Sequence, residues 1–137
     1  LRDNIPTYNS HSIEANIHRI KGLSRYFIYM NDDFFINKNL KKSDFVDKNK
    51  IVLFYDNKIS YHKNKTPTKT GFQNAWRNSN EWLNKNFRDQ KRYIYSHSPI
   101  LIDKNVIEEL WNLLPNELLN TTSQRFRSIN DYISIYE

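Results

Sequence analysis

No cysteine occurs in this sequence, which excludes disulfide frameworks and every cysteine-ligated zinc or iron–sulfur site and fits a reducing cytosol. Apolar runs are short. None approaches the ~20 residues that span a bilayer, and the first residues lack a signal-peptide pattern, so membrane contact is expected to be peripheral at most. Glycine appears twice and proline four times, no stretch has the length or bias of a linker, and no repeat is visible, so a single domain is expected. Also missing are a glycine-rich phosphate loop, a Gly-x-Ser-x-Gly elbow and a His-Glu-x-x-His helix, which removes the commonest nucleotide-binding, hydrolase and metalloprotease signatures. Methionine occurs once, at Met30, and the first residue is Leu1. The chain is therefore expected to be a piece, or a processed product, of a longer protein.

What is present is polar, basic and aromatic. The mean hydropathy is −0.83, low for a globular chain, yet aromatic residues make up 15% and several segments show clear apolar periodicity, which argues for a folded, thinly cored domain. Lysine plus arginine number 21 against 15 acidic residues, a formal charge of +6. Such a surface attracts phosphates, nucleic acid or acidic polymer. The lysines are spread along the chain rather than gathered in a motif, so the charge alone carries little weight.

Periodicity suggests alternating helices and strands. Ser12 is a candidate cap for a helix whose apolar positions Ile13, Ile17 and Ile20 recur at helical spacing, with Gly22 closing it and His11, Glu14 and His18 on a neighbouring face. Tyr26 to Met30 reads as a buried strand that ends in Asn31, Asp32 and Asp33, and in open α/β sheets that end of a strand is where ligands bind. Ile51–Tyr55 and Lys58–His62 read as a hairpin around Asp56-Asn57, followed by a lysine-rich loop from Lys63 to Lys69. From Phe72 to Phe87 the spacing predicts the longest helix, with Ala75, Trp76, Ser79 and Leu83 inward and Asn74, Asn78 and Glu81 outward. A strand at Arg92–Tyr95, the loop Ser96-His97-Ser98-Pro99 and a helix capped by Asp103 follow. Pro115 stops that helix or starts another, and a last helix is expected after Ser128.

Four groups of residues can carry chemistry. Asp32 and Asp33 beside Asn31 offer oxygen ligands for a hard divalent cation that would bridge nucleotide phosphates, although Asn and Asp are equally favoured in a plain turn. His97, in a loop after a strand, can accept a proton from an attacking hydroxyl, while a lone loop histidine is more often inert. Glu14 and His18 stand four apart on a helix, either as a site pair or as an exposed surface pair. Arg125 and Arg127 point the same way in an extended segment, suited to phosphate or simply solvated.

Read together, PTYNSHSIEANIHRI, GLSRYFIYMNDDFF and YSHSPILIDKNVIEEL, with a later arginine-containing segment, resemble the Stealth family. That family comprises bacterial capsular polysaccharide phosphotransferases and the catalytic subunit of the animal N-acetylglucosamine-1-phosphotransferase. The resemblance implies a Rossmann-like or GT-A-like α/β fold, with residues 1–137 forming the central part of one catalytic domain. It further implies transfer of a hexose or hexosamine 1-phosphate from a UDP-sugar to a hydroxyl of an oligosaccharide or polysaccharide acceptor, releasing UMP, on the cytoplasmic side. Carried over by position, Glu14 lies in the active site, Asp32 and Asp33 serve a Mg or Mn ion and the diphosphate, His97 is the base, and Arg127 holds phosphate. Asn31, Asn78, Asn80 and Arg125 are further substrate-binding candidates. No nucleic acid partner is expected on this reading. Family members also carry an earlier segment of the kind YTWVDGSD and a later acidic motif, neither present here, so the isolated chain is expected to be inactive. The competing readings are a metal-dependent nuclease or phosphodiesterase and a basic nucleic-acid-binding module, which use similar side chains.

Overall fold

The computed structural model describes residues 4–60 and 70–135, with the backbone alone for 56–60. The element order is α1 (Ser10–Asn16), β1 (Tyr26–Tyr29), β2 (Val46–Asp47), β3 (Lys50–Ile51), β4 (Tyr55–Ser60), α2 (Gly71–Asn86), β5 (Tyr93–Tyr95), β6 (Ile100–Asp103), α3 (Lys104–Leu113) and α4 (Pro115–Ser123), with short 3-10 turns at 17–19 and 42–44. Helices and strands are mixed, as an α/β class requires. Among the described residues the strands pair in twos, β1 with β6, β2 with β3 and β4 with β5, all antiparallel.

The first helix departs from expectation in an informative way. Asn9, not Ser12, caps it, accepting a hydrogen bond from the His11 backbone N–H at 3.1 Å. Its buried face is polar: His11, Ser12, Glu14 and Ala15 point inward, while Ile13 and Ile20 are more than half exposed. Ile17 alone of the predicted apolar stripe packs on the core, against β1 and β6. Ala15 is fully buried with Leu114 and Leu118, and the Trp111 indole N–H donates to the Ala15 carbonyl at 2.7 Å, fastening α3 to α1. Gly22 takes φ +81°, a conformation that side chains disfavour, and turns the chain toward β1.

Strand β1 is present but is not buried on both faces. Phe27 and Tyr29 face the Ile100–Ile102–Ile107 cluster, while Tyr26 and Ile28 are exposed on the other side. This alternation is that of a half-covered antiparallel strand. Its partner β6 occupies the apolar stretch before Asp103, where no strand was expected. Asp103 caps α3 as expected, accepting from the Asn105 backbone, and also pairs with Arg25 at 2.9 Å. Because β6 runs back along β1, Tyr29 lies opposite Ile100, and the end of β1 meets the loop that precedes β6.

The expected hairpin about Asp56-Asn57 is one turn out of place. Lys48 and Asn49 both have positive φ, the requirement of a tight two-residue turn whose twist matches the flanking strands, and they join β2 to β3. Asp56 and Asn57 instead lie within β4, which pairs with β5 through an irregular register. Tyr61, His62 and the Lys63–Lys69 stretch lie outside the described residues.

Helix α2 buries Asn74, Ala75, Trp76, Ser79 and Asn80. Asn74 therefore faces inward rather than to solvent, its amide donating to the Thr70 carbonyl. Among the described residues no helix follows Ser128, where one was expected. In its place the 129–133 backbone is held by α2 side chains: Asn78 donates to the carbonyls of Ile129 and Asp131, and the Ser79 hydroxyl bridges the N–H and C=O of Ile133. Those groups are satisfied without an i to i−4 ladder, so nothing draws the segment into a helix. Pro115 starts α4, the position where its missing N–H is harmless. Leu118 of α4 is fully enclosed; Leu118→Ala should lower unfolding free energy by about 3 kcal/mol, measurable by urea denaturation.

Candidate active site

A cavity of about 400 Å³ opens between α1, the end of β1, the start of α2 and the loop after β5. Its apolar wall comes from Phe72, Trp76, Ile94, Tyr95 and Ile133. Its polar groups are Ser10, His11, Glu14, Asn31, Ser96, His97 and Arg127. An apolar pocket with a few converging polar side chains is the usual form of a small-molecule site.

Glu14 owes its place to the inward polar face of α1. It is buried, Tyr29 Oη donates to its Oε1 at 2.9 Å, and burial raises its pKa above the ordinary carboxylate value, with the Tyr29 hydrogen bond and the charges of His11 and Arg127 opposing that shift. A carboxyl shifted toward neutral pH by burial in a cleft is a frequent mark of a functional group. Its predicted companion His18 does not reach it. His18 lies instead beside Trp111, with ring centroids 6.2 Å apart, and burial lowers its pKa.

The antiparallel pairing of β1 and β6 brings Asn31 to His97: Asn31 Nδ2 lies 2.8 Å from His97 Nε2. With the amide nitrogen as donor, Nε2 accepts and the ring proton sits on Nδ1. Asp33 approaches the same nitrogen at 3.9 Å from an exposed turn, and Phe34 meets the imidazole edge-on. Asp32 shares the turn, and neither aspartate lines the cavity wall. Among the described residues no three histidine, aspartate or glutamate side chains gather as a metal group. The exposed pair suits an ion of the magnesium kind, which takes one or two carboxylates and completes its shell with phosphates and water, and does not suit an all-protein cage.

Arg127 reaches the cavity from the other side, with Nη2 donating to Ser10 Oγ at 2.7 Å. Gly71 makes this approach possible, because a Cβ there would meet the Arg127 Cβ at 2.8 Å. Arg125 does not follow it inward. Its guanidinium lies over the exposed rings of Tyr8 and Phe126, 5.5 and 5.9 Å from their centroids. Asn78 holds the 129–131 backbone as described above, and Asn80 is fully buried with its amide donating to the Trp76 carbonyl; neither lines the cavity.

Two residues that sequence reasoning did not single out for the site complete it. Asp131 is fully buried, and its Oδ2 accepts from Asn9 Nδ2 at 2.9 Å and from the Ser128 backbone at 2.9 Å, and lies 3.1 Å from His11 Nδ1. His11 lines the cavity wall. Spacing along the chain carries no signal for this pair, since 120 residues separate the partners.

The cavity therefore draws on two stretches of sequence that flank α2, and both match models of known conserved regions. Residues 2–54 match Stealth protein CR2, conserved region 2, and residues 96–133 match Stealth protein CR3, conserved region 3. The chain belongs to the Stealth family. It is 39% identical over 134 residues to the capsular polysaccharide phosphotransferase fcs1 of Haemophilus influenzae, covering 94% of this chain and 36% of that protein. It is 34% identical over 128 residues to the capsular polysaccharide phosphotransferase SacB of Neisseria meningitidis serogroup A, covering 93% and 24%. Similarity extends to the exopolysaccharide phosphotransferase CpsY of Mycobacterium leprae, 36% identical over 132 residues, covering 95% and 24%. The chain thus spans between a quarter and somewhat more than a third of the length of these Stealth relatives. Ser10, His11, Glu14 and Asn31 of the cavity come from the first conserved region, and His97 and Arg127 from the second.

Burial of Glu14 has a thermodynamic signature. Its folded pKa lies above the unfolded value, so below the unfolded value the carboxyl is protonated in both states, and as pH rises through the folded value the folded state is progressively penalised. Glu14→Gln keeps an acceptor for Tyr29 and cannot ionise. The stability of the wild type relative to Glu14→Gln should therefore fall as pH rises from about 4 to neutrality, measured by denaturation at a series of pH values; an unchanging difference would contradict the assignment.

Proposed function

We propose that this chain forms part of a transferase that moves a hexose or hexosamine 1-phosphate from a UDP-sugar to a sugar hydroxyl during synthesis of capsular or other surface polysaccharide, releasing UMP. The observation that supports this reading is a cavity walled by both conserved regions on which a carboxyl, two histidines and an arginine converge. The relatives named above are phosphotransferases of capsular and exopolysaccharides, which supports this substrate class.

Phosphoryl transfer depends on charge neutralisation and in-line positioning more than on covalent chemistry. On this reading Arg127 binds a non-bridging oxygen of the donor diphosphate, held at the cavity edge by Ser10 and the close approach of Gly71. Asp32 and Asp33 would hold a Mg or Mn ion, which would supply further neutralisation of the diphosphate. The acceptor hydroxyl takes the place of the Asn31 amide at His97 Nε2, and the imidazole removes its proton as the oxygen attacks the β-phosphorus. The bond between that phosphorus and the oxygen bridging to the α-phosphate breaks, and the bridging oxygen leaves with UMP. Glu14, whose pKa burial raises, can accept from a sugar hydroxyl as a carboxylate and donate to a phosphate oxygen when protonated. The wider protein would extend the strand pairs into a Rossmann-like, GT-A-like sheet and carry the acceptor polysaccharide. Among the described residues no helix is long and apolar enough to cross a membrane, and we place the reaction at the cytoplasmic face, where contact with the bilayer is peripheral.

In the intact protein, His97→Ala should lower kcat by about a hundredfold to ten-thousandfold without loss of cooperative melting, and Asp33→Ala should raise the divalent-ion concentration needed for half-maximal rate. Near-normal turnover in His97→Ala would refute the role given to the imidazole.

A further inference from the structure

His11 is only 2% exposed and is the most enclosed polar residue of the cavity wall. In the neutral ring Asp131 Oδ2 holds the proton on Nδ1, at 3.1 Å, which leaves Nε2 as an unprotonated acceptor. That nitrogen is buried and has no hydrogen-bond partner among the described residues. Buried polar atoms are ordinarily satisfied, and an exception at the wall of a ligand cavity marks a place where a ligand supplies the missing group. Asp131 itself is fixed by Asn9 Nδ2 and the Ser128 N–H, so the imidazole has no freedom to turn its other nitrogen inward. The proton-transfer scheme above does not use it: His97 lies across the cavity and is joined to Asn31 and Asp33.

We propose that His11, oriented by Asp131, binds a hydroxyl of a sugar substrate through Nε2 and is a substrate-positioning residue of the transfer site. A hydroxyl can donate to Nε2 of the neutral imidazole or accept from it in the protonated ring, and hydroxyls are the groups that a pyranose presents in number; a phosphate oxygen could meet only the protonated ring. The apolar faces of Phe72, Trp76 and Tyr95 line the same cavity and suit the C–H surfaces of such a ring. The inference rests on the sugar-phosphate transfer reading and names a binding contact within it. Both donor and acceptor carry sugar hydroxyls, and kinetics separate the two sources.

The test uses the intact protein, with UDP-N-acetylglucosamine as donor and an oligosaccharide released from the producing strain's own capsule as acceptor, each varied in turn. His11→Asn keeps a donor to Asp131 through its amide but places no atom where Nε2 stood, and should raise one Michaelis constant about tenfold with kcat nearly unchanged. A rise in the donor constant assigns the contact to the transferred sugar, and a rise in the acceptor constant assigns it to the attacking sugar. His11→Gln, whose side-chain oxygen reaches the Nε2 position, should recover most of the loss. Unchanged constants in His11→Asn, a loss confined to kcat, or equal loss in the asparagine and glutamine variants would each overturn the proposal. Absence of transfer by the unmodified protein would instead overturn the underlying reading, and the inference with it.

Discussion

One buried carboxylate joins the two ends of this chain. Asp131 lies in the segment after α4, and the groups on its Oδ2 come from Asn9 and His11 at the start of α1 and from Ser128 beside it. The contact closes a loop of some 120 residues, and both Arg127 and α1 stand in the cavity because of it. A carboxylate with no solvent exposure is costly to bury unless it is hydrogen-bonded; every donor named here meets Oδ2, while Oδ1 is buried with no partner among the described residues, so the arrangement holds only while those donors stay in place. Substitution of Asp131 would disturb more than one wall of the cavity at once.

The same economy of apolar residues runs through the rest of the molecule. The buried faces of α1 and α2 carry His11, Ser12, Glu14, Asn74, Ser79 and Asn80 beside Ala15, Ala75 and Trp76, and the apolar clusters are small, with Trp111 packed against two of them. Side-chain hydrogen bonds to backbone take over part of the work of a larger core: Asn78 and Ser79 hold residues 129–133, Ser12 donates to the Thr122 carbonyl, and the Tyr132 N–H donates to Thr121. A polar interior of this kind is specific rather than strongly stabilising, since each net hydrogen bond contributes only about 1 kcal/mol while an unmade one is penalised more heavily. It also leaves polar atoms at the cavity wall, where a substrate can meet them.

Local signals were legible where local chemistry decides the structure. The run from Tyr26, the cap at Asp103, the proline at 115 and the length of α2 all follow from side-chain type and spacing, and the residues around Asn31 and His97 stood out by their place after strands. Tertiary context decided the rest. The apolar stripe of α1 pointed to Ile13 and Ile20 as core, yet the helix turns its polar face inward to build the cavity, and periodicity cannot distinguish a face that covers a core from one that lines a site. Strand β6 is four residues long and abuts α3, so its apolar residues merge with the helical pattern. The turn at Lys48-Asn49 requires two positive φ angles without glycine, which no turn dipeptide advertises strongly. The partnership of His11 and Asp131 has no local signature at all. Resemblance to the Stealth family brought Glu14, His97 and Arg127 forward as a set before the cavity that they share was visible.

The proposed transfer breaks the pyrophosphate link of a nucleotide sugar and not the glycosidic one. It is tested most directly by giving the intact protein UDP-N-acetylglucosamine labelled with phosphorus-32 at the β-phosphate, a capsule-derived acceptor and Mg or Mn, and then locating the label. Label should enter the saccharide product with release of unlabelled UMP; label recovered in released UDP, with an unlabelled product, would refute cleavage of the pyrophosphate.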